Sequence, residues 1–437
     1  MNPFTRYWSL DPDVVFLNHG SFGACPLRIL ERQQELRAEM EREPVEFLYR
    51  RFEARIDEAR GALGRFVGAD ADDLAFVPNA TTGVNTVLRS LAFDPGDELL
   101  TTDHEYNACR NVLNFVAERS RAKVVVASVP FPLSSETEVV DAVLSAVTDR
   151  TKLLLIDHVT SATGVILPLE PVVRPLAERR IDTLVDGAHA PGMLPLRLEE
   201  LGAAYYTGNC HKWMCTPKGS AFLHVRRDRQ HLVRPLAISH GANSPRTDRS
   251  RFRLEFDFSG TDDPTPFLSI PEAIAFFETI VPGGWDEVRS LNRNLALRGR
   301  AILQEALSIP SPAPGEMLGS LAAVPLPSRR DGVELPLMSL DPISRELFEK
   351  HRIETLVSVW PRSPERVLRV SAQLYNEEAQ FRTLARALTE EISARGSAQT
   401  AAVALHRGFF LLECVVLSLL HQGKRFSMEN VRRGGSS

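Results

Sequence analysis

Lys212 lies in the run Thr207-Gly208-Asn209-Cys210-His211-Lys212-Trp213, shortly after Val185-Asp186-Gly187-Ala188-His189. A lysine amine can form a Schiff base with an aldehyde. A carboxylate that ends an apolar stretch can hold a proton on a pyridine nitrogen, so that the ring accepts electrons. Taken singly, a lysine is ordinarily a solvated surface charge and an aspartate a turn or cap. In this order the two are the wiring of a pyridoxal 5'-phosphate site. Asn79-Ala80-Thr81-Thr82-Gly83 supplies a third piece, since it follows one apolar stretch and opens a helical one. Helix N-termini bind dianions through free N–H groups and the helix dipole, and the threonines add hydroxyls. The plainer alternative is a simple N-cap.

The elements that must position these residues alternate between strand and helix. Asp13 to Leu17, Leu74 to Val77, Glu98 to Thr101, Lys123 to Ala127, Leu153 to Ile156 and Thr183 to Val185 read as short apolar strands. Leu27 to Arg42, the stretch ending at Leu91, Ala108 to Arg119 and Val139 to Ala146 read as helices. Near-continuous apolar strands separated by helices predict a mainly parallel sheet sandwiched by helices. Ligands in such sheets sit beyond the strand C-termini, where the informative polar residues lie. After Pro282-Gly283-Gly284 come a long charged helix (Trp285 to Leu307), a Pro/Gly-rich stretch around a weak strand (Ile309 to Arg330), a helix (Pro342 to His351), a strand (Arg366 to Ser371) and a last helix (Glu377 to Arg395). The expected organisation is an N-terminal active-site segment (1–25), a large domain (26–281), a smaller C-terminal α/β domain (282–396) and a tail (397–437). The apolar run Gly408 to Leu420 in that tail is shorter than the roughly 20 residues that span a bilayer. It reads as an accessory packing segment, followed by a Gly/Ser-rich, basic and disordered end.

With 437 residues the chain has ample length for a large core, and a net charge of −5 argues against nucleic acid as a partner. Five scattered cysteines look unlike a disulfide framework and suggest a reducing compartment. The N-terminal residues lack the pattern of a signal peptide. A cytoplasmic enzyme with no membrane contact is expected.

The runs Phe16-Leu17-Asn18-His19-Gly20-Ser21-Phe22-Gly23-Ala24-Cys25-Pro26, Asp103-His104-Glu105-Tyr106-Asn107-Ala108 and Arg369-Val370-Ser371-Ala372-Gln373-Leu374-Tyr375-Asn376 belong with the lysine and aspartate motifs. Together they resemble the class V, fold-type I pyridoxal-phosphate enzymes, and within them the isopenicillin N epimerase-like branch, from about Val15 to Ala394. The resemblance implies a cup for the cofactor phosphate formed by Ala80, Thr81, Asn209 and His211, although many relatives carry serine where Asn209 stands. It implies Asp186 on the pyridine nitrogen, with His189 and Ser161 near the phenolic oxygen. His104 would cover the ring, or Tyr106 as the branch-specific alternative. A core histidine with satisfied hydrogen bonds is the bland reading of His104. Arg369 would grip a substrate α-carboxylate as a bidentate fork, with Asn18 and His19 in the same pocket. Thr261 matches a position that reaches the phosphate of a neighbouring subunit, which implies a homodimer with shared sites.

The chemistry implied starts with Lys212 as a base at Cα, giving a carbanion delocalised into the cofactor. Reprotonation from a second acid, His104 or Tyr106, gives epimerisation. Reprotonation on the cofactor gives transamination, and loss of a β-substituent gives elimination, including C–S cleavage. A persulfide-forming desulfurase would need a mobile cysteine in the small domain, and none occurs between Thr216 and Glu413. The expected function is action on a free or modified amino acid, most like an epimerase. A β-eliminating C–S lyase or aminotransferase is the alternative within the branch, and a non-catalytic protein that keeps the fold is the alternative outside it.

Overall fold

The computed structural model describes residues 2–329, 332–336 and 339–395. The expected tail, 397–437, lies outside the described residues. Among the described residues twelve strands run in chain order: β1 (Val15–Phe16), β2 (Leu74–Val77), β3 (Glu98–Thr102), β4 (Lys123–Ala127), β5 (Thr151–Asp157), β6 (Asp182–Asp186), β7 (Tyr205–Asn209), β8 (Ala221–Val225), β9 (Leu321–Leu326), β10 (Ile353–Glu354), β11 (Leu356–Val359) and β12 (Arg366–Ser371). Seven of them form the main sheet in the order β2-β8-β7-β6-β5-β3-β4. Five neighbours in a row are parallel, while β8 is antiparallel to both β7 and β2.

The sheet is apolar on both faces, as its sequence requires. Along β5, Leu153 and Leu155 join the cluster on one side, and Leu154 and Ile156 join the cluster on the other. The period of two along a strand sends alternate side chains to opposite faces. Both faces are therefore dry, and the polar residues at the strand ends are left to line a common edge. β5 and β6 lie in register so that Asp157 stands beside Asp186. The helix Ala80–Ser90 begins there too: Asn79 caps it, its Oδ1 accepting from Thr82 N at 2.8 Å.

A smaller sheet, β11-β12-β9, carries the C-terminal core. β9 falls in the stretch expected to hold only a weak strand; it is six residues long and fully paired to β12 on its inner side. It tolerates Pro325 because it is an edge strand, where a missing N–H donor is not needed. The helix Gly284–Leu307 belongs to both cores: Trp285 and Val288 pack in the large-domain cluster, Leu295 and Leu303 in the small-domain cluster. The N-terminal segment is likewise shared. Its strand β1 pairs in parallel with β10 of the small domain, and Trp8 is buried in the large-domain cluster. Among the described residues, no helix is long and apolar enough to cross a membrane.

Candidate active site

Lys212 is in the turn after β7. The turn is held from several directions: Cys210 and His211 donate their backbone N–H groups to Ser220 O (3.0 and 3.1 Å), and Cys215 takes a left-handed conformation with φ of 57°. From outside, His19 Nε2 meets Lys212 O at 2.9 Å while its Nδ1 meets the Tyr375 hydroxyl at 2.8 Å. With both ring nitrogens taken and no exposure, His19 is a strut behind the lysine turn, and burial lowers its pKa to about 3. Gly23 shares this contact, since a Cβ there would lie 2.1 Å from His211 O.

The Lys212 amine is buried. Its Nζ lies 3.1 Å from His189 Nε2. Burial, with the Arg369 guanidinium nearby, lowers its pKa to about 7. An amine that titrates there has a large free-base fraction at neutral pH, the form that attacks an aldehyde and accepts a proton. Asp186 ends β6 with both carboxylate oxygens engaged: Ala188 N donates to Oδ1 at 2.9 Å and the Cys109 thiol to Oδ2 at 3.0 Å.

Asp186 is not alone. Glu105 is buried, and Asp157 is buried with an Oδ2 that has no hydrogen-bond partner among the described residues. Ligand atoms of Glu105, Cys109 and Asp186 lie within 4.8 Å of one another. Burial first, then the neighbouring carboxylates, push Glu105 and Asp157 well above the usual carboxylate range. Glu105, Asp157 and Cys109 were not singled out by sequence reasoning. Asp157 carried a usable signal, because it ends the apolar run Leu153-Leu154-Leu155-Ile156 just as Asp186 ends Leu184-Val185.

The proposed phosphate residues converge from two elements. Asn209, at the end of β7, accepts from Ala80 N at 2.8 Å through Oδ1, so it ties the lysine strand to the start of the Ala80–Ser90 helix, where Thr81 follows. His211 gives Nδ1–H to Ser220 O at 2.9 Å, which leaves Nε2 as its outward nitrogen. Burial holds this imidazole at about 4.

Arg369 is at the middle strand of the small sheet and points across the domain boundary. Its terminal nitrogens donate to Ser161 O (2.7 Å), Ser21 Oγ (2.8 Å) and, at 3.4 Å, Ser161 Oγ and Asn18 Oδ1. All of these are neutral oxygens, Nε has no partner among the described residues, and the residue is 3% exposed. Burial lowers its pKa to about 10, against the opposing effect of the Tyr106 phenol. A guanidinium buried among neutral groups is poised for an anion, because a buried charge otherwise bears its desolvation uncompensated.

His104 and Tyr106 are differently placed. His104 is 2% exposed, bonded to Val129 O (3.1 Å) and Thr163 Oγ1 (3.0 Å), with its ring edge-on to Trp360 at 4.6 Å. Both its nitrogens are occupied, which leaves no ring N–H free to move a proton. Tyr106 opens the helix Asn107–Ser120, is 39% exposed, and has its phenol within electrostatic reach of Arg369. Thr261 is exposed on a groove of about 890 Å³ that also includes Leu48, Tyr49, Phe52, His240 and Phe258. No residue of the Lys212 cluster lines that groove.

A buried amine on a strand-following turn, an aspartate on the adjacent strand and a helix N-terminus beside them fit pyridoxal phosphate: amine for aldehyde, carboxylate for pyridine nitrogen, N–H groups for phosphate. Fold and site together define a pyridoxal-phosphate-dependent enzyme of fold type I. The chain belongs to the class-V aminotransferase family, whose model matches residues 25–326. It is 36% identical over 393 residues to isopenicillin N epimerase of Streptomyces clavuligerus, covering 87% of this chain and 95% of that protein. It is 28% identical over 405 residues to a probable chloroplastic L-cysteine desulfhydrase of Arabidopsis thaliana, covering 86% and 82%. Among solved structures, a cystine C–S lyase, C-DES, in complex with cysteine persulfide superposes with a TM-score of 0.70 at 21% identity, covering 86% of this chain and 98% of that one.

Proposed function

We propose that this enzyme epimerises an amino-acid substrate at Cα. The observation that carries an amino acid is Arg369, a buried fork with only neutral partners, in electrostatic contact with Lys212 and Tyr106. A carboxylate received there completes the guanidinium's charge and fixes the plane of the substrate. Bound pyridoxal phosphate supplies the sink for the electron pair left at Cα. Asp186 holds the proton at the pyridine nitrogen. Ala80, Thr81, Asn209 and His211 hold the phosphate, and His189 and Ser161 bound the site beside Lys212 and Arg369. Lys212, with its pKa near neutrality, takes the Cα proton from one side. Tyr106, whose phenol has Arg369 within electrostatic reach, returns one from the other, a part that His104 with both nitrogens bonded does not fit. The 36% identity to two isopenicillin N epimerases supports epimerisation over elimination.

β-Elimination with C–S cleavage is the second reading, supported by relatives such as the desulfhydrase at 28% identity. A homodimer with Thr261 of one protomer serving the phosphate site of the other is part of this proposal. The groove around Thr261 is where the second protomer would pack. The four described cysteines are all free thiols, which supports a reducing, cytoplasmic setting.

The test incubates the enzyme with single enantiomers of amino acids and of N-acylated or peptide-linked analogues in D₂O. Inversion with deuterium at Cα and no ammonia or keto acid supports epimerisation. Ammonia with sulfide or thiol points to elimination. No change of any substrate, together with no visible cofactor absorbance, would return the chain to a binding role.

A further inference from the structure

We propose that Trp213 is a positioning residue that fixes the tautomer of His189, so that His189 Nε2–H faces Lys212 and the lysine is presented as a free amine. This rests on reading Lys212 as the cofactor lysine. Trp213 Nε1 is 3.4 Å from His189 Nδ1, and Lys212 Nζ is 3.1 Å from His189 Nε2. An indole N–H can only donate. Nδ1 must therefore be the bare nitrogen, and a neutral imidazole then carries its proton on Nε2. That N–H is a good partner for an amine lone pair and a poor one for an ammonium, which has only donors to offer. The proton stays on the imidazole throughout, and the effect is on which form of Lys212 the site accepts.

The surroundings keep His189 neutral. It is 2% exposed and faces Lys212 and Trp213 on the lysine turn, Arg369 from β12, His19 from the N-terminal segment and His211. Burial is the main cause, and none of these neighbours is an acid. Lys212 itself also feels the Asp186 carboxylate, which favours the ammonium, and an imidazole N–H facing the amine works against it. Trp213 cannot easily turn away. It is 2% exposed, its ring packs on His19 at 4.8 Å, and its backbone is close enough to Gly192 that a Cβ there would meet it at 2.5 Å.

The experiment uses the apo-protein, so its outcome does not depend on which reaction the enzyme performs. Nitrogen-15 spectra of histidine-labelled protein, assigned with His189→Gln, read the tautomer directly. The ¹³Cε shift of Lys212, assigned with Lys212→Arg, reads its titration midpoint. The wild type should show His189 as Nε2–H. Trp213→Phe should release the Nδ1–H form and raise the Lys212 midpoint by about one pH unit, the size of a typical hydrogen bond. Association of pyridoxal phosphate at pH 7 should then slow about fivefold, as the free-amine fraction falls from about half to about a tenth. In a His189→Gln background the amide N–H needs no tautomer control, so Trp213→Phe should leave the midpoint unmoved. An Nδ1–H tautomer in the wild type overturns the proposal, even if Trp213→Phe does not fold. So does a folded Trp213→Phe with tautomer and midpoint unchanged. Borohydride reduction and peptide mapping of the holoenzyme tests the lysine assignment separately: an adduct on Lys218 or Lys152 removes that assignment and leaves the tautomer measurement standing.

Discussion

Replacing Arg369 by lysine keeps the charge and removes the fork. In the structure the two terminal nitrogens are spread between Ser161 O and Ser21 Oγ, at 2.7 and 2.8 Å, which sets the guanidinium plane. An ammonium is a point charge on a flexible stem and cannot present two parallel donors. Loss of one charge-assisted hydrogen bond to a carboxylate is worth roughly 1.5–3 kcal/mol. That corresponds to a fall of about 10- to 100-fold in kcat/KM. Most of it is expected in KM, with some loss of kcat because the carboxylate anchor orients the Cα–H bond. The assay compares an amino acid with its amide under identical conditions, with the cofactor absorbance as a check that the site is intact. Wild type should favour the free acid strongly, and Arg369→Lys should lose most of that preference. If wild type and variant handle acid and amide alike, Arg369 is not the carboxylate anchor and the amino-acid reading loses its support.

Three further outcomes are expected. Asp186→Asn should retain cofactor yet lose about 10²–10³ in turnover, a typical loss for a missing electrostatic group; near-normal turnover would mark Asp186 as a turn residue. The association rate of pyridoxal phosphate with apo-protein should rise with pH through about 7 and level off above it, because burial lowers the Lys212 pKa and only the free amine reacts; a midpoint near that of an ordinary lysine would contradict this. Mixing Lys212→Ala with Thr261→Ala protomers should restore activity through hybrids with one intact site, provided subunits exchange, whereas full activity in a verified monomer would exclude sharing.

Strands buried on both faces, such as Leu153 to Ile156, are legible in the sequence because their apolar runs are unbroken. β7, Tyr-Tyr-Thr-Gly-Asn, carries no such run, and in β8, Ala-Phe-Leu-His-Val, His224 breaks it; the antiparallel direction of β8 is set by pairing and leaves no local trace. The lysine, aspartate and arginine were legible as motifs. Asp157 was legible only by analogy with Asp186, each ending an apolar run, and Glu105 was not, since an acid reads as a surface charge until its neighbours are known. His19 shows the same limit in another form. Its partners, Tyr375 and the Lys212 carbonyl, are 356 and 193 residues away, so its work as a strut cannot be read locally.

The N-terminal segment has a mechanical consequence. It is hydrogen-bonded into the small domain through β1 and through Leu17 O to Ser371 N at 2.8 Å. Six residues or fewer further along it holds the lysine turn through His19 and the arginine fork through Ser21 and Asn18. The segment therefore ties the Arg369 fork to the Lys212 turn. Any rocking of the small domain drags on both at once. A purification tag or truncation reaching residues 15–23 would disturb the fork and the turn together, and redesign of either has to treat those residues as part of both.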